Sequence, residues 1–177
     1  MRPQYAAVVG AIFVAASAAV AGAAFRTHLR ISGAFHTTSE RAVDWSDEGC
    51  GYRPNGTLLY GSNALRIGRG PAVARVDFFI RHYRGPVKYD ARGPAPYGRT
   101  TVQVVTARTA ATGAASGFYI ATSGNVTILQ AKNVGRRGHK GFASGTVRAR
   151  LRLMGGSRRL RLAGTWHCRI PPEANEG

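Results

Sequence analysis

The sequence predicts an all-β protein, and three observations support this prediction. Several short segments alternate apolar and polar residues with the period of two that is typical of a strand with one buried face. Glycine and proline recur between these segments, as they do in turns. Beyond residue 24, no segment has a convincing helical period. Many short strands of this kind predict an antiparallel β-sandwich, with a closed β-barrel as the alternative.

Residues 1–24 precede this domain and have the features of an export segment. Arg2 is followed by an uncharged apolar run, residues 5–24, that ends in small residues. This order is typical of a secretory signal peptide. An uncleaved membrane anchor formed by residues 5–24 is the alternative, because about 20 apolar residues can cross a bilayer. We therefore expect a secreted or cell-envelope protein.

The first strand is expected within residues 27–36, where Leu29 and Ile31 alternate with polar neighbours. Residues 37–55 are polar and contain four of the eight acidic side chains of the chain. Turn signals then separate several short apolar segments. Further strands in this half are expected at residues 57–60, 64–67, 72–83 and 87–89.

The second half begins with a β-branched strand at residues 100–108. Residues 117–132 predict a hairpin that turns at Ser123-Gly124. A basic loop is expected at residues 133–141, and Pro171-Pro172 ends the ordered structure. The sequence thus predicts a single β domain over residues 25–172, followed by a disordered tail at residues 173–177.

The clearest pattern is a hairpin at residues 146–168. Two alternating runs are separated by Gly155-Gly156, which can adopt the positive φ angles of a tight turn. One face carries leucines, Trp166 and Cys168, and is predicted to be part of the core. With Gly155-Gly156 as a two-residue turn, the register on the other face places arginine opposite arginine: Arg152 faces Arg159, and Arg150 faces Arg161.

The polar face of this hairpin is the candidate binding site. Like charges that lie directly opposite each other are unfavourable, unless solvent or a bound anion offsets them. Arginine pairs well with phosphate and carboxylate groups, and the net charge of the chain is +17. Alternatively, an arginine-rich composition of the genome could account for the charge. The predicted anion site consists of Arg148, Arg150, Arg152, Arg159 and Arg161, with Arg136, Arg137 and Lys140 as an extension.

The predicted partner of this face is an anionic lipid or an acidic polysaccharide. Nucleic acid ranks behind both, because no aromatic residues alternate with the arginines to stack on bases. The sequence leaves the oligomeric state open.

The chain contains two cysteines, Cys50 and Cys168, and an exported protein with an even number of cysteines is expected to form disulfides. Only one intramolecular pairing is possible. It would join the hairpin to the acidic segment near the start of the domain.

The sequence favours a protein that is not an enzyme. It lacks nucleotide-binding loops, the nucleophile elbow and a zinc-protease motif, so no cofactor or metal site is predicted. One alternative is an extracellular hydrolase that uses Asp44 or Asp77 with His36 or His167. Another alternative is a ligand-carrying β-barrel, which would need an apolar cavity.

Overall fold

The computed structural model describes residues 27–41, 49–62, 64–92, 100–109 and 115–177, and it confirms the all-β prediction. The predicted export segment, residues 1–24, lies outside the described residues. Two short 3-10 helices, Ser39–Arg41 and Pro172–Ala174, accompany the strands. The strands are β1 (His28–Gly33), β2 (Thr37–Thr38), β3 (Gly49–Arg53), β4 (Thr57–Gly61), β5 (Leu65–Arg66), β6 (Val73–Ile80), β7 (Lys88–Asp90), β8 (Thr101–Ala107), β9 (Ala115–Lys132), β10 (Gly141–Leu153) and β11 (Arg159–Ile170).

The eleven strands belong to one antiparallel sheet that curls into a half-barrel. The order of the main path is β2-β1-β11-β10-β9-β8-β6-β4-β3, while β5 pairs with β6 and β7 pairs with β9. Irregularities between Ser144 and Gly145, and between Arg150 and Leu151, interrupt the pairing of β10 with β9. Such bulges bend a strand and increase its twist, which helps a sheet to curl. The choice between a sandwich and a closed barrel stays a prediction.

The predicted C-terminal hairpin is confirmed, and it is longer than expected. β10 and β11 pair continuously from Gly141 opposite Ile170 to Arg152 opposite Arg159. Arg150 lies opposite Arg161, as the two-residue turn predicted. The hairpin is therefore the longest uninterrupted two-strand unit of the sheet, and its strands are the third and fourth of the main path.

The inner face of the hairpin forms part of the core. Leu160, Leu162 and Trp166 are at most 1% exposed, as the alternation predicted. The Trp166 ring lies 4.8 Å from the ring of Phe78 in β6 and 5.4 Å from that of Tyr60 in β4, centroid to centroid. Aromatic pairs at these distances stabilise a core beyond the burial of their area. Trp166 thus connects two parts of the sheet that are far apart in strand order.

The hairpin predicted at residues 117–132 is wrong, because this segment forms the single strand β9. Ser123 and Gly124 lie inside the strand, where Gly124 has a φ of 144°. A side chain at Gly124 would collide with the backbone at Arg148 and Ala149. Glycine therefore permits a bend and a close approach here, and not a reversal of the chain. Before the bend β9 pairs with β8, and after it with β7.

The predicted disulfide is confirmed between Cys50 in β3 and Cys168 in β11, with a Cα–Cα distance of 5.6 Å. β3 ends one side of the strand order, whereas β11 lies near the other side. The two strands also contact each other directly. The bond therefore holds together two parts of the curled sheet that no ladder of hydrogen bonds joins.

The C-terminal residues differ from the predicted disordered tail at 173–177, because the structure holds Asn175 in a defined place. Its side chain is fully buried, and its Oδ1 accepts a hydrogen bond from the Gly135 amide at 2.8 Å. Its Nδ2 donates to the carbonyl oxygens of Asn133, Arg136 and His139, at 2.6, 3.1 and 3.0 Å. Backbone groups in a loop need such partners when no ladder supplies them. Asn175 therefore organises the basic loop between β9 and β10.

Removal of the disulfide is expected to destabilise the domain strongly. The bond closes a loop with a sequence separation of 118 residues. The loss of this constraint on the unfolded chain should lower the free energy of unfolding by at most about 4–5 kcal/mol in the Cys50→Ser/Cys168→Ser variant. Urea unfolding of oxidised wild type and of the variant measures the difference, and reduced wild type is the control. Equal midpoints for wild type and variant would contradict this role.

The Asn175→Ala variant should be destabilised, since it lacks the four hydrogen bonds of the amide. At about 0.5–1.5 kcal/mol per bond, the expected loss is about 2–6 kcal/mol. Hydrogen exchange should also quicken at the amides of residues 133–140. Glu173→Gln, at an exposed position in the same segment, is the matched control and should match wild type. Unchanged protection of the loop in Asn175→Ala would show that the tail does not hold it.

Candidate anion-binding face

The outer surface of the half-barrel includes the polar side of the C-terminal hairpin. In β10, the side chains of Arg148, Arg150 and Arg152 are exposed, whereas those of the intervening residues are buried. In β11, Arg159 and Arg161 are exposed in the same way. The structure thus brings the five predicted arginines together on one solvent-facing surface.

The cross-strand register arranges these side chains in rows. Arg150 faces Arg161, Arg152 faces Arg159, and Arg148 faces Ala163. Within the described residues none of the five forms an ion pair, and one hydrogen bond, from Arg152 Nε to the Gly156 carbonyl at 3.0 Å, involves their side chains. Like charges directly opposite each other destabilise a sheet. The arrangement therefore has a repulsion that a bound anion would offset.

A sixth arginine, which the sequence analysis missed, extends this surface. Arg30 in β1 is exposed and lies opposite Ala163, whose other neighbour is Arg148. The sequence placed Arg30 on the polar side of a strand, but no local signal indicates that β1 pairs with β11. We call the surface formed by these six side chains the arginine face. Its members are Arg30, Arg148, Arg150, Arg152, Arg159 and Arg161.

The hairpin part of the arginine face contains a depression of about 410 Å³. Arg150, Arg152, Arg159 and Arg161 line it together with Thr122 and Ser123 of β9. Guanidinium groups can donate two parallel hydrogen bonds to one carboxylate, sulfate or phosphate. The hydroxyl groups add neutral donors and acceptors at the edge of the charged area. This chemistry suits an anion that also carries hydroxyl groups.

The predicted extension of the site, Arg136, Arg137 and Lys140, is not part of this surface. These residues lie in the loop that precedes β10, whereas the arginine face lies near the other end of that strand. Arg150 lies ten positions after Lys140, which is about 30 Å along an extended strand. The loop is therefore a separate basic region.

Asp77 is not paired with either of the histidines proposed for a hydrolase. Asp77 in β6 accepts a hydrogen bond from Arg75 Nε at 2.8 Å and one from Gln103 Nε2 at 3.4 Å. Its partners within the described part of the chain are thus these two side chains, and not His36 or His167. Asp44 lies outside the described residues. No group of three potential metal ligands occurs among residues that the structure describes.

The aromatic cluster around Trp166 lies in the core of the half-barrel. Phe35, Tyr119 and Leu153 contribute to the lining of a depression of about 280 Å³. Ligand pockets in proteins usually have volumes of about 300–1,000 Å³. The ligand-carrying β-barrel stays a prediction.

Three tyrosines support the turn between β6 and β7. Tyr83 lies edge-on to Tyr52 and stacks on Tyr89, with ring centroids 6.0 and 6.4 Å away. Tyr89 donates its hydroxyl proton to the Gly85 carbonyl and accepts a hydrogen bond from the Arg84 amide, both at 2.8 Å. Burial, with smaller contributions from Tyr89 and Tyr52, raises the pKa of Tyr83 to about 12. The turn that presents Arg84 and Lys88 is thus supported by one buried and two partly buried phenol rings.

Comparisons with protein-family models, with curated proteins and with solved structures find no match to the chain. Within the described ranges, no helix has the length and apolar character needed to span a membrane. The arginine face is therefore the feature of the molecule from which its function can be inferred.

The raised pKa of Tyr83 predicts a loss of stability in alkaline solution. The fold favours the neutral phenol, so its contribution is complete below about pH 10, the pKa of an unfolded tyrosine, and is lost as the pH rises towards 12. Urea unfolding across this interval should show a steeper decline in the free energy of unfolding for wild type than for Tyr83→Phe. Parallel declines would contradict the assignment.

Proposed function

We propose that the protein is an exported β domain that binds polyanions through the arginine face. A polyanion here is a polymer or surface that carries many negative charges. One observation carries the proposal: six exposed arginines lie on three adjacent strands, and the described residues supply none of them with a carboxylate partner. Negatively charged ligands would be attracted to such a surface.

Ion pairs are rare among the basic residues elsewhere in the fold. Arg75 pairs with Asp77 at 2.8 Å and Arg53 lies 3.9 Å from Glu176, whereas exposed residues such as Arg66 have no ion pair among the described residues. The lack of a carboxylate partner therefore does not by itself distinguish the arginine face. What supports a charged partner is the concentration of six exposed arginines on three adjacent strands.

The proposal places the protein outside the cytoplasm, either secreted or in the cell envelope. The Cys50–Cys168 disulfide supports an oxidising compartment. Residues 1–24 would act as a signal peptide, with an anchor at residues 5–24 as the alternative. On this view the charged face meets its partner in the extracellular medium or at the cell surface.

We also propose that the half-barrel is closer to a closed barrel than to a sandwich. The disulfide joins β3 to β11, and the Thr37 hydroxyl of β2 donates to the Arg66 carbonyl of β5 at 2.7 Å. Both contacts bring opposite sides of the strand order together. A curled sheet held in this way presents the arginine face on its outer surface.

The Arg150→Ser/Arg161→Ser variant tests the proposed function. These side chains face each other at the centre of the arginine face, so the loss of both should weaken binding to a polyanion such as heparin by about tenfold or more. The salt dependence of binding should also decrease, because fewer charges are neutralised. Retention on heparin over a salt gradient, followed by titration calorimetry, measures both effects.

The matched control is Arg66→Ser/Arg69→Ser, which changes the net charge by the same amount. Both positions are exposed, and β5 lies four strands from β10 along the sheet. The control should bind nearly as wild type does. Equal losses in the two variants would mean that net charge alone governs binding, and the proposed site would be rejected.

A further inference from the structure

We propose that the natural ligand is a linear acidic polysaccharide, and that it continues from the arginine face across β9 into a second basic depression beside β7. This inference rests on the proposed function and specifies its ligand. It depends on residues of β7 and the preceding turn, which lie far from the hairpin in sequence.

The second depression has a volume of about 760 Å³. Within β7 and just after it, Lys88, Asp90 and Arg92 are exposed, whereas Tyr89 and Ala91 are buried. Lys88 and Arg92 therefore project outwards, and both line the depression together with Arg84. In the described part of the chain, none of these three cations forms an ion pair. The depression thus offers several free positive charges to a ligand.

The pairing of strands connects this depression to the arginine face. Asp90 of β7 lies opposite Asn125 of β9, and Asn125 lies opposite Arg148 of β10. Two residues before Asn125, Ser123 lies opposite Arg150. Ser123 also lines the depression of the arginine face. The Ala91 amide donates to the Gly124 carbonyl at 2.9 Å, so β7 remains in contact with β9 at this level. The two depressions are therefore separated by β9 alone.

The outward side chains of β9 between the depressions are polar and uncharged. They are Ser123, Asn125 and Thr127. Hydroxyl and amide groups can donate and accept hydrogen bonds with sugar hydroxyls. From β1 to β7 the surface crosses four strand spacings of about 4.8 Å, or about 19 Å in all. Charged areas at both ends and a neutral polar area between them suit a chain that carries both carboxylates and hydroxyls.

A flat lipid surface fits this arrangement less well. The charged residues occupy the outside of a curled sheet, and a plane touches such a convex surface only locally. A polymer chain can follow the curvature and contact both depressions at once. Stable attachment to a bilayer also commonly uses apolar side chains that enter it. The area between the two depressions has polar side chains instead.

Single-stranded nucleic acid is also disfavoured. It would need aromatic side chains on which bases can stack. Tyr89, the aromatic residue of β7, is buried, and its hydroxyl is occupied by the turn that precedes it. The arginine face itself consists of guanidinium groups without aromatic neighbours in its rows.

One acidic side chain lies within the second depression. Asp90 is exposed and belongs to no ion pair among residues that the structure describes. Its charge would repel the carboxylates of a polysaccharide chain that crosses from Arg148 towards Lys88. We therefore infer that Asp90 limits the affinity, and that removal of its charge strengthens binding.

Oligogalacturonates of increasing length test the inference by titration calorimetry at fixed salt. With wild type, affinity should rise until the oligomer spans about 19 Å and then level off. Lys88→Ser/Arg92→Ser should bind short oligomers as wild type does and long ones about fivefold to tenfold more weakly. Asp90→Asn should bind long oligomers several times more tightly. Urea unfolding of each variant confirms that these exposed substitutions leave the fold intact.

Different results separate failure of this inference from failure of the proposed function. If Arg150→Ser/Arg161→Ser weakens binding but Lys88→Ser/Arg92→Ser does not, the extension across β9 is overturned and the arginine face stands. If phosphatidylglycerol vesicles or single-stranded DNA bind more tightly than long oligogalacturonates at equal salt, the polysaccharide is overturned as the ligand. If wild type binds none of these probes, both proposals fail.

Discussion

The register in which β10 and β11 pair constrains the rest of the structure. A shift of one residue in this register would bury arginines and expose Trp166. Side chains alternate between the two faces of a strand, so each residue of the hairpin has one allowed side in a given register. Trp166 packs against Phe78 and Tyr60 in the interior. Burial of an unpaired guanidinium would cost far more than the repulsion between arginines on the outer face. The core thus determines where the charges lie.

Stability and binding depend on different parts of the molecule. The disulfide joins β3 to β11, and Asn175 holds the loop that precedes β10. The arginine face lies towards the other end of the hairpin, and its side chains take no part in the disulfide or in the hydrogen bonds of Asn175. The sheet positions the guanidinium groups, and among their side chains the one hydrogen bond to a described residue is that of Arg152 to the Gly156 carbonyl. Changes on the face should therefore affect binding with little effect on folding.

The parts of the fold that the sequence predicted are those fixed by short-range patterns or by a single possible pairing. The hairpin register follows from alternation around Gly155-Gly156, and two cysteines allow one intramolecular bond. Long-range pairings have no local signal, so Arg30 and the second depression beside β7 were missed. Ser123-Gly124 has the composition of a turn, but in the structure Gly124 permits a bend inside the continuous strand β9. Asn175 was missed because its partners are backbone groups of a loop, which leave no pattern in the sequence.

Arginine-specific chemical modification, mapped by mass spectrometry with and without a bound polyanion, tests the central claim most directly. Phenylglyoxal should modify exposed arginines throughout the free protein. In the complex, Arg148, Arg150 and Arg161 should be protected, while Arg66 and Arg69 should react as before. Protection of all arginines to the same degree, or protection confined to Arg66 and Arg69, would contradict the assignment of the binding site to the arginine face.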